Sequence, residues 1–200
     1  MADANSNKLT TRDLITTGVF TALYFVVLAV FGQLGALIPI LQVLGPFYIP
    51  LICGIVFVLF TTRVHHFGMI TIMGILVGLL VVVTGQSWVV AVLAVVLSPI
   101  ADWLFNRASG DAPAKIGTTV VTYVIFSEML IGMVVPLFFQ REAFFERLAS
   151  RKAADWVSSL EAMTPPWMFV VMIVMIAVGA FLGVLLGRAI FRKHFAQVAR

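Results

Sequence analysis

Six apolar blocks, at residues 14–31, 34–60, 69–83, 88–105, 116–139 and 167–189, fill most of this chain. A helix needs about 20 apolar residues to cross a hydrocarbon core about 30 Å thick. The first, fourth, fifth and sixth blocks come close to that length, and the second is longer than one crossing needs. The third, at residues 69–83, spans only about 22 Å as a helix. Composition agrees: 62% of residues are hydrophobic, 11% are charged and mean hydropathy is +1.10. The chain therefore reads as an all-α integral membrane protein, a six-transmembrane-helix bundle forming a single membrane domain over residues 1–200. Spans are expected near 14–33, 45–61, 68–84, 88–105, 115–139 and 166–191.

Charge sets the expected orientation. An even number of spans puts both termini on one side. The N-terminal segment (Lys8, Arg12), the second-to-third loop (Arg63), the fourth-to-fifth loop (Arg107, Lys115) and the tail (Arg188, Arg192, Lys193, Arg200) then share that side. They hold nine of the thirteen Lys and Arg residues. The other four, Arg141, Arg147, Arg151 and Lys152, sit in one segment among Glu142, Glu146, Asp155 and Glu161. The positive-inside rule then places the N- and C-termini in the cytoplasm of a multi-pass plasma-membrane protein. The net charge of +4 is thus a topology signal, with no nucleic acid implied as a partner. Residues 1–8 read as a polar, disordered tail. Block 14–31 is too long for a signal-peptide core and no Ala-x-Ala-like site follows it, so it reads as a retained helix. Cys53, the single cysteine, lies in an apolar run and reads as a small buried hydrophobe.

Along the chain, Thr10 or Thr11 can cap the first helix, with Asp13 favouring its dipole. Gly18 and Ala22, and Thr17 and Thr21, place small residues on one face, where another helix can approach closely. That helix is either inside this bundle or in a partner protein. Pro39, Pro46 and Pro50 predict a short outer segment near 34–44, a break at Gly45-Pro46 and a spanning helix to Phe60. Irregular backbone at membrane depth belongs against protein or a cavity, so this region, with Gln42 and Tyr48, is a candidate pocket wall that opens outward. His65 and His66 read as solvated loop residues rather than metal ligands. Gly74 and Gly78 are spaced for close packing, as are Gly179, Gly183 and Gly187. The tip at Thr84-Gly85-Gln86-Ser87, beside Trp88, is either a recessed ligand contact or an interfacial turn. Asp102 is expected to pair with a cation at the inner interface.

Glu128 is the one acid deep in a block, and such residues are functional candidates. Gly117, Val121, Val124, Glu128 and Gly132 share a stripe beside Thr119, Tyr123 and Ser127, a face expected to turn into the bundle. Two roles stand open for Glu128: contact with substrate or a coupling ion, or a structural acid hydrogen-bonded to a neighbouring Tyr or Thr. Segment 140–163 is amphipathic, with Phe144, Phe145, Leu148, Trp156, Val157 and Leu160 among charges. It is expected outside, between the fifth and sixth spans, lying on the membrane or folding over a pocket as a lid.

No Gly-x4-Gly-Lys-Ser/Thr loop is present, so ATP hydrolysis by such a loop is excluded. His-Glu-x2-His, Gly-x-Ser-x-Gly and Gly-x-Gly-x2-Gly are absent as well. The chain is not expected to be an enzyme, and no metal site is expected. No clear repeat relates its two halves, which weakens an inverted-repeat transporter reading.

The run Leu9-Thr10-Thr11-Arg12-Asp13-Leu14-Ile15, with Gly18-Val19-Phe20-Thr21-Ala22-Leu23-Tyr24, resembles the start of MptD-family (Trep_Strep) proteins. Phe67-Gly68-Met69-Ile70-Thr71-Ile72-Met73-Gly74 and Thr84-Gly85-Gln86-Ser87-Trp88 are similar to that family too. The resemblance runs from about residue 9 to 192 and implies a substrate-binding S component of an energy-coupling factor (ECF) importer for a vitamin or other micronutrient. Such a subunit binds its ligand from outside and docks on a transmembrane T component joined to two ATPase subunits. Those partners consume ATP, and this chain itself carries no cofactor. The family's docking motif, Ala-x3-Ala on the first helix, corresponds here to Gly18 and Ala22. Substrate contacts from outer helix ends and loops fall on the 42–50, 86–88 and 140–167 regions. Gln42, Tyr48, Gln86, Trp88 and Trp167 are the candidates there, with Glu128 added from its depth. Haem or another tetrapyrrole is one substrate option, although both loop histidines lie on the predicted cytoplasmic side. The alternative is a stand-alone ion-coupled secondary transporter that uses Glu128.

Overall fold

The computed structural model describes residues 9–64, 66–109 and 115–198, with the side chains of 109 and 194–198 left aside. The tail at 1–8, His65, residues 110–114 of the fourth-to-fifth loop and Arg200 lie outside the described residues, and so do the expectations attached to the tail, His65 and Arg200. Every regular element among the described residues is helical.

Helix α1 (Thr11–Gly32) begins at a capping box. Thr10 Oγ1 accepts from the Asp13 N–H at 3.3 Å, and the Thr10 N–H donates to Asp13 Oδ2 at 2.9 Å. Thr10 rather than Thr11 is therefore the cap, and it satisfies donors that a helix start leaves open. A 3-10 turn (Gln33–Ala36) leads into α2 (Pro39–Thr61).

The break expected at Gly45-Pro46 does not occur, because α2 runs straight through Pro46 and Pro50. Pro39 sits at the helix start, where its missing N–H costs nothing. Pro46 and Pro50 each remove one interior hydrogen bond, which neighbouring groups can offset at membrane depth. Being four apart, they take the usual helical donors from the carbonyls of Gln42 and Pro46, one above the other on one face.

The next pair is α3 (Met69–Val83) and α4 (Val89–Ser109). Asp102, fully buried on α4, pairs with no cation in the hydrogen bonds that hold it. Its Oδ2 accepts from the N–H groups of Gly68 and Thr71 at 2.8 and 2.9 Å and from Thr71 Oγ1 at 2.8 Å. Asn106 Nδ2 donates to its Oδ1 at 2.7 Å. The acid thus caps the α3 N-terminus from a neighbouring helix, since Gly68 at the cap position has no side chain to do so. Glycine is required at 68: its φ is +104°, and a Cβ there would lie 3.0 Å from Leu9 Cδ1.

The fifth block is not one helix. Helix α5 (Ile116–Ser127) gives way at Glu128 to a 3-10 stretch (Glu128–Met133), followed by the short α6 (Val135–Phe139). Gly132 lets this stretch press on the start of α4, where a Cβ would come within 2.5 Å of the Val90 nitrogen. Segment 140–163 folds as α7 (Arg141–Ala149) and α8 (Ala154–Met163), and α9 (Met168–Val198) completes the chain.

Among the described residues, five segments are long and apolar enough to cross a membrane: Thr11–Ala36, Pro39–Thr61, Val89–Ala108, Ile116–Met133 and Met168–Lys193. The sixth apolar helix, α3, is shorter at 15 residues. Its glycines do what their spacing predicts, facing α4, where a Cβ on Gly78 would lie 2.7 Å from Ala94 Cβ. Another close seam joins α9 to α2. A Cβ on Gly183 would lie 2.6 Å from the Leu51 carbonyl oxygen, and one on Gly54 would lie 2.8 Å from the Gly183 backbone. Gly179 meets the Phe47 carbonyl and Gly187 meets Val58, so all three spaced glycines of α9 serve this contact. Inside the bundle, Tyr24, Phe57, Tyr123 and Phe126 form a buried aromatic cluster.

Candidate substrate-binding cavity

A cavity of about 230 Å³ opens at one end of the bundle. The end of α1, the first half of α2, the α3–α4 tip and the 3-10 stretch after α5 enclose it, and α7, α8 and the start of α9 complete the wall. The elements carrying Arg12, Arg63, Arg107, Lys115 and Arg188 end at the opposite pole, because consecutive long helices run antiparallel.

Three candidate residues meet in this cavity: Gln42, Tyr48 and Gln86 line it together with Pro46 and Pro50. The proline-rich segment is therefore a cavity wall, although it is helical. Gln42, Pro46 and Pro50 repeat every four residues and form one stripe along that wall. Tyr48 is braced from the side, its hydroxyl donating to the Phe31 carbonyl at 3.2 Å. Below Pro50, Tyr123 donates its hydroxyl to the Pro50 carbonyl at 2.8 Å, and the Tyr24 hydroxyl lies 3.3 Å from that of Tyr123. These bonds hold the cavity floor against the buried core.

The other three candidates are elsewhere. Trp88 and Trp167 are 64% and 63% exposed and do not line the cavity. At the α3–α4 tip, then, Gln86 borders the cavity and Trp88 does not. Glu128 does not line the cavity either. Its stripe is not the inward one: Gly117 and Val121 are exposed, whereas Thr119, Thr122, Tyr123, Phe126 and Ser127 are buried. Glu128 is half-buried at the bundle's edge, and among the described residues no hydrogen bond to Tyr or Thr holds it. Gly117 and Val121 are exposed within the regular part of α5, so this stripe already faces outward before the helix tightens at 128.

Segment 140–163 closes over the cavity. Phe144 and Leu160 line it, and Phe145, Leu160, Leu137, Val43 and Met172 form a second buried apolar cluster. One polar tie holds the flap to the 3-10 turn after α1, and two more join the flap's own ends. Lys152 Nζ donates to the Ala36 carbonyl at 2.6 Å, and Arg141 donates to the carbonyls of Thr164 and Glu161 at 2.7 and 3.0 Å. The segment thus packs onto the cavity through Phe144 and Leu160.

The sequence did not single out Gln33, Met133 or Met172, which also line the cavity. Gln33 carried a signal, as an amide placed between two apolar blocks. The methionines carried none, because an inward methionine in an apolar block looks like its neighbours. Among the described residues, no group of three or more His, Cys, Asp and Glu could hold a metal. His66, placed in a loop as expected, lies with Nδ1 3.1 Å from Asp13 Oδ2.

On α1, Thr17 and Thr21 face inward and are buried, while Gly18 and Ala22 face out. A Cβ on Gly18 would meet nothing within 4 Å, and Leu14, Ile15, Val19, Leu23 and Val26 extend the same outward surface. Gly18 and Ala22 therefore make no close contact inside this bundle.

No curated protein and no solved structure matches the chain. The family model Trep_Strep, described as a hypothetical bacterial integral membrane protein, matches residues 11–197, and the chain belongs to that family.

Proposed function

We propose that this chain is the substrate-binding S component of an ECF-type importer. It takes up a small micronutrient from outside the cell and depends on a T component and two ATPase subunits for energy. The observation that carries this reading is the lidded cavity at one pole, lined by side chains fit for binding rather than for bond-breaking. The outward Gly18 and Ala22 face, toward the other pole, is the second support. Small residues allow a partner helix to come close, and this surface makes no such contact within the chain. In this reading both termini are cytoplasmic, α3 completes six spans, and α7 and α8 open on the outer side. The chain binds and carries, and its partners hydrolyse ATP.

The cavity favours a ligand smaller than a tetrapyrrole. Sites for drug-sized ligands run from about 300 to 1,000 Å³, and this one measures about 230 Å³. Ion coupling through Glu128 receives less support, because that residue stands away from the cavity.

The test is affinity purification of the tagged chain from its native membrane. A membrane protein and ATPase subunits should co-purify and be lost in Gly18→Leu and Ala22→Leu, whose melting should match the unaltered chain. Purification without any ATPase would overturn the proposal.

A further inference from the structure

Taking the cavity as the substrate site, as proposed above, we infer that its ligand is an uncharged molecule with a compact apolar body and an N–H-bearing head of the amide, lactam or ureide type. Charge comes first. Among the residues lining the cavity, none is acidic, basic or a histidine. Lys152 on the flap has its ammonium held by the carbonyl of the lining residue Ala36 at 2.6 Å. A carboxylate, phosphate or ammonium entering this space would lose its hydration with no opposite charge to meet it.

The polar groups that are present share one character. Gln33, Gln42 and Gln86 each carry a carboxamide, and among the described residues no protein hydrogen bond engages any of the three side chains. All three are exposed, so they ring the mouth, while Val43, Leu137, Leu160 and Met172 are buried within. The Gln42 amide is also held in place: it packs so closely on Gly35 that a Cβ there would collide with Gln42 Oε1. On the α2 wall, Pro46 and Pro50 deny the Gln42 and Pro46 carbonyls their usual helical donors. These carbonyls add acceptors on the stripe that lines the cavity. Carboxamides that both donate and accept, beside carbonyls in need of donors, match a head with its own N–H and C=O groups. An apolar interior beneath a few placed polar groups is the usual anatomy of a small-molecule site.

The experiment is mass spectrometry of small molecules released from the full chain, purified from its native membrane, alongside two variants. Met172→Trp fills the interior, and Gln42→Ala removes one rim amide from an exposed position where folding is not at stake. A species bound in the cavity should fall at least tenfold in Met172→Trp and several-fold in Gln42→Ala. That species should be neutral at pH 7 and contain an N–H group. A depleted species that carries a carboxylate, phosphate or ammonium overturns the inference, as does a detergent or lipid without N–H donors. Depletion of nothing in either variant also overturns it, provided Gln42→Ala melts like the unaltered chain. ATPase subunits are scored in the same preparations: if they are absent while a neutral N–H ligand is retained, the importer role fails and the ligand class stands.

Discussion

Two glycines with identical sequence credentials should respond oppositely to the same substitution. Gly183 and Gly18 each sit in a four-residue small-residue spacing on a long apolar helix. At Gly183, an added Cβ would lie 2.6 Å from the Leu51 carbonyl oxygen, 2.9 Å from that of Pro50 and 3.0 Å from Leu51 Cα. Carbon–oxygen contacts settle at about 3.3–3.6 Å, so α9 must move about 0.7 Å or more from α2. The atoms in the way are helix backbone and cannot rotate aside. A gap of about 0.5–1 Å forfeits a quarter to a half of the attraction for each contact it opens. The contacts at Gly183 are with rigid helix backbone, so Gly183→Ala should carry a steric cost of about 1–3 kcal/mol. At Gly18 nothing lies within 4 Å, and Gly18→Ala costs nothing sterically. Replacing glycine by alanine also favours the helix by about 1 kcal/mol, but that gain is common to both variants and cancels in their difference. Unfolding titrated with SDS in mixed micelles, followed by circular dichroism, should therefore separate the two variants by about 1–3 kcal/mol. Equal stabilities would refute the packing of α2 on α9 described here.

Asp102→Ala would leave the Gly68 N–H and the Thr71 N–H and hydroxyl without the acceptor that caps α3. A loss of about 3 kcal/mol is expected in the same titration, since buried donors left unsatisfied cost about 1–3 kcal/mol; no loss would mean that another group caps α3. Cys53 is fully buried, so a thiol reagent should leave the folded protein unlabelled and label it only after SDS unfolding. Lys152→Met removes the tie between the flap and the Ala36 carbonyl, and limited proteolysis should cut residues 140–165 faster while circular dichroism stays unchanged.

Much of the architecture was legible because the bilayer leaves few choices. Apolar length marked the helices, Thr10 and Asp13 marked the first cap, and the spacing of Gly179, Gly183 and Gly187 marked a close seam. The amphipathic stretch holding Phe144 and Leu160 was legible as a segment with a face to cover, and the fold supplied the object covered. Three features were hidden for physical reasons. Pro46 and Pro50 looked like breaks because sequence shows the lost hydrogen bonds but not the neighbouring helices that keep the helix intact. Asp102 looked like half of an ion pair because two of its partners are backbone N–H groups more than thirty residues away, which leave no mark in composition, and the others, the Thr71 hydroxyl and the Asn106 amide, are uncharged. Glu128 looked inward because an acid deep in an apolar block calls for a protein face, yet Gly117 and Val121 on its stripe are exposed, and a stripe of small and apolar residues does not tell lipid from protein. The cavity was half visible: Gln42, Tyr48 and Gln86 stood out as polar groups in apolar blocks, whereas Met133 and Met172 did not.

The central claim, that this chain binds a substrate and draws its energy from other proteins, is tested most directly by transport in reconstituted vesicles. The molecule retained by the purified chain would be supplied outside vesicles holding either the chain alone or the chain with its co-purifying partners. Accumulation only with the partners present and ATP supplied on their ATPase side is the predicted result. Accumulation by the chain alone, driven by an ion gradient and abolished by Glu128→Gln, would contradict it.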